Sequence, residues 1–86
     1  MVQVSWFYGI KISMYYKERQ PPHIHVEYGD YTAEVDIQKV KVVQGKLPKK
    51  QLNVVLAWTI IHQDELIENW HRAYNKKDLF KIDPLR

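Results

Sequence analysis

The stretch His23-Ile24-His25-Val26-Glu27-Tyr28-Gly29-Asp30-Tyr31-Thr32-Ala33-Glu34-Val35-Asp36 decides the fold. Two runs rich in β-forming residues meet at Gly29-Asp30, a pair suited to the positive φ angles of a two-residue hairpin turn. With those residues at the tip, Tyr28 faces Tyr31. Counting back pairs Glu27 with Thr32, Val26 with Ala33, His25 with Glu34, Ile24 with Val35 and His23 with Asp36. Side chains alternate between the faces of a strand, so this register sorts the hairpin into two sides. Ile24, Val26, Tyr28, Tyr31, Ala33 and Val35 share one side, while His23, His25, Glu27, Thr32, Glu34 and Asp36 share the other.

Upstream, Trp6, Tyr8, Ile10, Ile12, Met14 and Tyr16 alternate with Phe7, Gly9, Lys11, Ser13 and Tyr15, the period-2 pattern of a single strand with one apolar face. Lys17-Glu18-Arg19-Gln20 and Pro21-Pro22 then interrupt it and predict a connecting loop, because proline cannot donate to a ladder. Downstream, Val40-Lys41-Val42-Val43 reads as a fourth short strand or as a bulged continuation of the third, ended by Gly45 and Pro48. From about Lys49 to Tyr74 no proline or glycine intervenes. Leu52, Val55, Leu56, Thr59, Gln63, Leu66, Ile67, Trp70, Ala73 and Tyr74 fall there on one stripe at helical spacing, so one long helix is expected. Leu79-Phe80-Lys81-Ile82-Asp83-Pro84-Leu85 is too apolar to float free and is expected to lie extended over the domain.

These elements predict an α+β fold: a small antiparallel sheet of three to four strands packed on one long C-terminal helix, with an extended C-terminal tail. Residues 1–86 read as a single domain, since 45% hydrophobic content supplies one core. That core is expected to bury Ile10, Ile12, Val26, Val35, Leu52, Leu56, Leu66 and Trp70. The chain has no cysteine, which removes disulfides and thiolate metal sites and fits a reducing compartment. No run of the signal-peptide or membrane-spanning kind precedes the first strand, so a cytoplasmic protein with no membrane partner is expected.

Three groups of residues could carry function. On the polar face of the hairpin, His25 opposite Glu34 and His23 opposite Asp36 form two cross-strand histidine–carboxylate pairs. Lys11, Ser13 and Tyr15 join them if the first strand pairs with the hairpin. The set His23, His25, Glu34, Asp36, Lys11 and Tyr15 is the candidate catalytic surface. It could orient a general base, supply His-x-His and an acid to a metal, or simply pair opposite charges. His-x-His alone does not make a closed zinc site, so no metal ligand set and no cofactor is assigned.

The second group, Trp58, His62, Glu65 and Asn69, shares one helix flank at spacings of three and four and reads either as a partner anchor or as boundary residues covering the sheet edge. The third comprises Lys39, Lys41, Lys46, Lys49 and Lys50, a run of lysines with no acid among them in a chain of net charge +3. It reads as a surface for nucleic acid or an acidic partner, or as protection of an exposed edge strand. No glycine-rich phosphate loop or nucleophile elbow is present.

The order of short motifs adds a separate indication: Phe7-Tyr8-Gly9-Ile10, Met14-Tyr15-Tyr16, Pro21-Pro22-His23-Ile24-His25, Gly45-Lys46-Leu47-Pro48, Trp58 with His62, Glu65-Leu66, Asn69-Trp70 and Ile82-Asp83-Pro84-Leu85. This sequence resembles the bacterial family named domain of unknown function 4160 over nearly its whole length. The resemblance implies signature positions at His23, His25, Trp58, His62, Glu65 and Trp70, with Ile24 standing where phenylalanine is frequent. It also implies a small partner protein of the family numbered 2442, in pairs that resemble type II toxin–antitoxin modules, and it assigns no reaction.

The leading expectation is a toxin-like component acting on RNA or the translation apparatus and neutralised by that partner. In a ribonuclease, His25 or His23 would be the general base, with Lys11 or a lysine between 39 and 50 holding phosphate. The alternatives are a non-enzymatic protein-binding module and a small histidine-based metal-binding domain. Whether the chain is an enzyme and whether it forms a homo-oligomer are left open by the sequence.

Overall fold

The computed structural model of the protein describes residues 1–85. The hairpin forms as β3 (His23–Tyr28) and β4 (Tyr31–Asp36), with Tyr28 opposite Tyr31, His25 opposite Glu34 and His23 opposite Asp36, the register expected from the turn. It lies within a five-stranded antiparallel meander that also contains β1 (Val2–Phe7), β2 (Ile10–Met14) and β5 (Lys41–Gly45), ordered in space as in sequence. Two helices follow, α1 (Lys49–Ile61) and α2 (Gln63–Tyr74). The architecture is α+β, with five strands where three or four were expected and two helices where one was expected.

The unexpected strand arises because the run from Trp6 to Tyr16 is not one strand. Tyr8 and Gly9 both take positive φ, 51° and 77°, and turn the chain back so that Phe7 opposes Ile10. A two-residue turn inverts the alternation. Phe7, Ile10, Ile12 and Met14 are therefore buried, while Trp6 and Tyr8, expected on the apolar face, are exposed.

The run after Ile37 forms a strand of its own, β5, the first of the two readings the sequence left open, and not a continuation of β4. Asp36 Oδ1 accepts hydrogen bonds from the backbone N–H groups of Gln38 and Lys39 at 2.9 and 2.8 Å, closing the turn that reverses the chain. At its far end β5 needs Gly45: φ is +77° there, and a Cβ would lie 2.2 Å from the Thr32 carbonyl oxygen.

The helix breaks at His62, whose φ of −108° and ψ of 22° leave the helical range. Gln63 holds the junction against the β4–β5 turn, its Nε2 donating to the carbonyl oxygens of Ile37 and Gln38 at 2.8 and 3.2 Å. Asp64 and Glu65 stand in the first turn of α2, where acidic groups complement the partial positive charge of a helix start.

Both helices contribute to one core with the apolar sheet face. Ile10, Ile12, Ile24, Val26, Val35, Val55, Trp58, Leu66 and Trp70 are essentially inaccessible to solvent. Leu52 and Leu56, expected in that core, are only half-buried. The buried stripe is turned toward Trp58 and Asn69 because the C-terminal tail covers that flank. Ile82 is buried and its N–H donates to the Val4 carbonyl at 2.8 Å, so the tail lies extended along β1, as expected.

Trp70 is 2% exposed and its ring centroid lies 5.1 Å from that of His23, so it joins the core to one end of the sheet. Replacing it with alanine should lower the unfolding free energy by about 3–5 kcal/mol, as for other large core aromatics. Urea unfolding followed by circular dichroism measures this, and a Trp70→Ala chain as stable as the parent would contradict the packing.

Candidate functional site

Strand pairing brings the polar rows of the sheet into line. Lys11, Glu27 and Thr32 lie side by side across β2, β3 and β4, and Ser13, His25, Glu34 and Gln44 form the next row across β2 to β5. His23 and Asp36 continue toward Lys41. The first strand segment does pair with the hairpin, so Lys11, Ser13 and the adjoining Tyr15 reach the histidine face. Tyr15 stacks on His25 with ring centroids 4.4 Å apart.

The histidines meet a different carboxylate from those expected. His25 Nε2 donates to Glu18 Oε1 at 2.7 Å, and no hydrogen bond joins His25 to Glu34 among the described residues. His23 Nε2 lies 3.2 Å from the same Glu18 oxygen and 3.8 Å from Glu34 Oε1. Asp36, expected to pair with His23, instead caps the β4–β5 turn and is 3% exposed. The Cα register is as expected, but direct opposition across a ladder does not oblige side chains to touch. The loop from 15 to 22 folds over this face and delivers Glu18 between the two rings.

Partner chemistry fixes the protons. A carbonyl only accepts, so the 2.9 Å contact between His23 Nδ1 and the Pro21 carbonyl places a hydrogen on Nδ1. His23 Nε2 then points at two carboxylates. The nitrogens of His23 and His25 and the Glu18 oxygen all lie within 4.8 Å of one another, a set able to hold a metal ion. Beside them a cavity of about 230 Å³ is lined by residues including Tyr15, His25, Glu27, Thr32, Glu34 and Gln44. Ser13 Oγ, buried next to His25, has no hydrogen-bond partner among the described residues. Lys11 Nζ lies 3.4 Å from Glu27 Oε1.

The helix flank expected to anchor a partner is occupied by the chain itself. Trp58 is fully buried, its Nε1 donating to the Asp83 carbonyl at 2.8 Å. Asn69, also fully buried, donates through Nδ2 to the Phe80 carbonyl and accepts from the Phe80 N–H. His62 hydrogen-bonds Glu65 through Nδ1 and packs its ring against Trp58, centroids 5.3 Å apart. Trp58 and Asn69 thus form a seat for the tail, because buried amides and indole N–H groups need partners and the tail backbone supplies them, while His62 and Glu65 pair with each other beside it. The lysines sit elsewhere: Lys39, Lys41, Lys46, Lys49 and Lys50 are all exposed, along the β4–β5 turn, the edge strand β5 and the start of α1.

A family described as Domain of unknown function (DUF4160) matches residues 9–71. The chain belongs to that family. No curated protein and no solved structure matches it. The part shared with the DUF4160 family contains Glu18, His23 and His25, together with Trp58, His62, Glu65 and Trp70, and leaves β1 and the tail outside.

Glu18 has no periodic signal to mark it, since it lies in a polar connector. Its only sequence cue is a carboxylate shortly before Pro21-Pro22-His23-Ile24-His25. Its pairing is directly testable. In NMR spectra, Glu18→Gln should move the His25 ring-proton shifts more than Glu34→Gln does, and the reverse order would restore the cross-strand pair.

Proposed function

We propose that this chain is the toxin-like component of a type II toxin–antitoxin pair, acting on RNA or the translation apparatus until a small partner protein of the family numbered 2442 covers its polar sheet face. The observation that carries the reading is the convergence of His23, His25 and Glu18 on that face, beside a cavity and at the end of the sheet where Trp70 of α2 meets His23. A protein whose sheet served only as scaffold would not need two histidines held on one carboxylate. The five exposed lysines around β5 border the same sheet and would attract a polyanionic substrate, while Lys11 stands on the histidine face itself.

The convergence supports two chemistries. An imidazole oriented by a carboxylate moves a proton, whereas two imidazoles and a carboxylate together hold a metal ion. Both place the reacting atoms beside His25. A non-enzymatic docking module is the second reading, favoured by β5, an edge strand that leaves Val43 half exposed.

Induced expression with and without a partner protein of the family numbered 2442 tests the proposal. Growth should stop when the chain is made alone, recover when the partner is co-expressed, and continue with His25→Ala, which should still bind the partner. Unimpaired growth at confirmed soluble levels of the parent chain would overturn the toxin reading. Loss of partner binding alone in His25→Ala would favour docking.

A further inference from the structure

We infer that Glu18, His23 and His25 form a binding site for one first-row divalent ion of the zinc type, with at least one coordination position open to a non-protein ligand. The inference deepens the reading above by naming the chemistry of the same centre.

Three potential ligands converge on one point. His23 Nδ1 carries its hydrogen toward the Pro21 carbonyl, so a neutral ring turns the bare lone pair of Nε2 toward Glu18 Oε1 at 3.2 Å and Glu34 Oε1 at 3.8 Å. An acceptor facing two carboxylates requires positive charge between them. Protonating His23 would supply it for that ring, but His25 Nε2 is directed at the same Glu18 oxygen from 2.7 Å and the two rings stand 5.2 Å apart, so all three potential ligands converge there. One divalent ion serves all three groups at once, with both imidazoles neutral and the carboxylate ionised.

The spacing agrees. Tetrahedral zinc with bonds of about 2.0–2.1 Å to nitrogen and 2.0–2.2 Å to oxygen holds its ligand atoms roughly 3.4 Å apart. The observed separations from Glu18 are 3.2 and 2.7 Å and the two imidazole nitrogens lie within 4.8 Å of each other, so a modest adjustment of the three side chains admits the ion.

The surroundings are those of a ligand set rather than a surface ion pair. The Pro21 carbonyl holds His23 in the tautomer that presents Nε2, which is how outer hydrogen bonds orient metal-binding histidines. Trp70 packs on the His23 ring and Tyr15 on the His25 ring, limiting their rotation. Two neighbouring residues of a β-strand point to opposite faces, so His-x-His is the shortest spacing that brings two imidazoles to one side. Two nitrogens and one carboxylate select zinc-like ions over magnesium or calcium, which favour all-oxygen sites. Three protein ligands leave a fourth position, and the adjoining cavity, which shares His25 with the cluster, gives a small ligand access.

The test uses the full chain, purified metal-free, with Zn²⁺, Co²⁺ and Mg²⁺ as probes in native mass spectrometry and calorimetry. One Zn²⁺ per chain should bind and raise the melting temperature, Mg²⁺ should do neither, and Co²⁺ should give a visible absorption band. Glu18→Gln keeps the side-chain shape on a loop and should weaken Zn²⁺ binding at least tenfold while leaving the metal-free melting temperature close to that of the parent. His25→Ala should weaken binding similarly, and His62→Ala should not change it. Absence of Zn²⁺ uptake, equal uptake by Glu18→Gln, loss of uptake in His62→Ala, or equal affinity for Mg²⁺ would each overturn the site. Uptake is read without reference to growth. A chain that binds zinc but arrests no cells keeps this site and loses the toxin reading, and a toxic chain that binds none does the reverse.

Discussion

The register of the β3–β4 hairpin is the constraint on which the rest of the structure depends. A slip of β3 by one residue would bring Ile24 and Val26 to the polar side and turn both histidines toward the core. Burying each such side chain contributes roughly 1.5–3 kcal/mol, a large share of the roughly 5–15 kcal/mol that holds a small domain together. The turn at Gly29-Asp30 and the apolar alternation therefore enforce one arrangement. The same step that builds the core face sets His23 and His25 on the other, and the site is a by-product of the fold's strongest local rule.

What the hairpin begins, two unstructured segments complete. The loop from 15 to 22 brings Glu18 to the histidines, and the tail closes the helix flank through Trp58, Asn69 and Ile82. The two segments act on different sides, and Trp70 lies between them, in the core yet against His23. Core stability and the orientation of the histidine centre are thus coupled through one indole.

Legibility in the sequence followed periodicity and turn chemistry. The β3–β4 register was readable because a two-residue turn leaves no freedom in pairing, and the helical region was readable from its spacing. The β1–β2 hairpin was missed because its alternation continues through Tyr8-Gly9 and only a glycine inside the run marks the reversal. The helix break at His62 was missed because Gln63 docks on the β4–β5 turn, a contact between residues some 26 positions apart. Glu18 escaped for a related reason: its role depends on the path of a loop, which no period encodes. Trp58 and Asn69 looked like a partner's anchor because helical spacing shows which residues share a flank, and not which segment of the same chain covers them.

Two imidazole nitrogens and the Glu18 carboxylate meet at one point that a zinc-type ion can occupy. Anomalous diffraction at the zinc edge, from crystals of the full chain grown with equimolar Zn²⁺, tests it most directly. One strong peak should lie about 2.0–2.2 Å from His23 Nε2, His25 Nε2 and Glu18 Oε1. A Glu18 side chain turned to solvent, with no peak at the histidines or with zinc held by His62 and Glu65 instead, would contradict it.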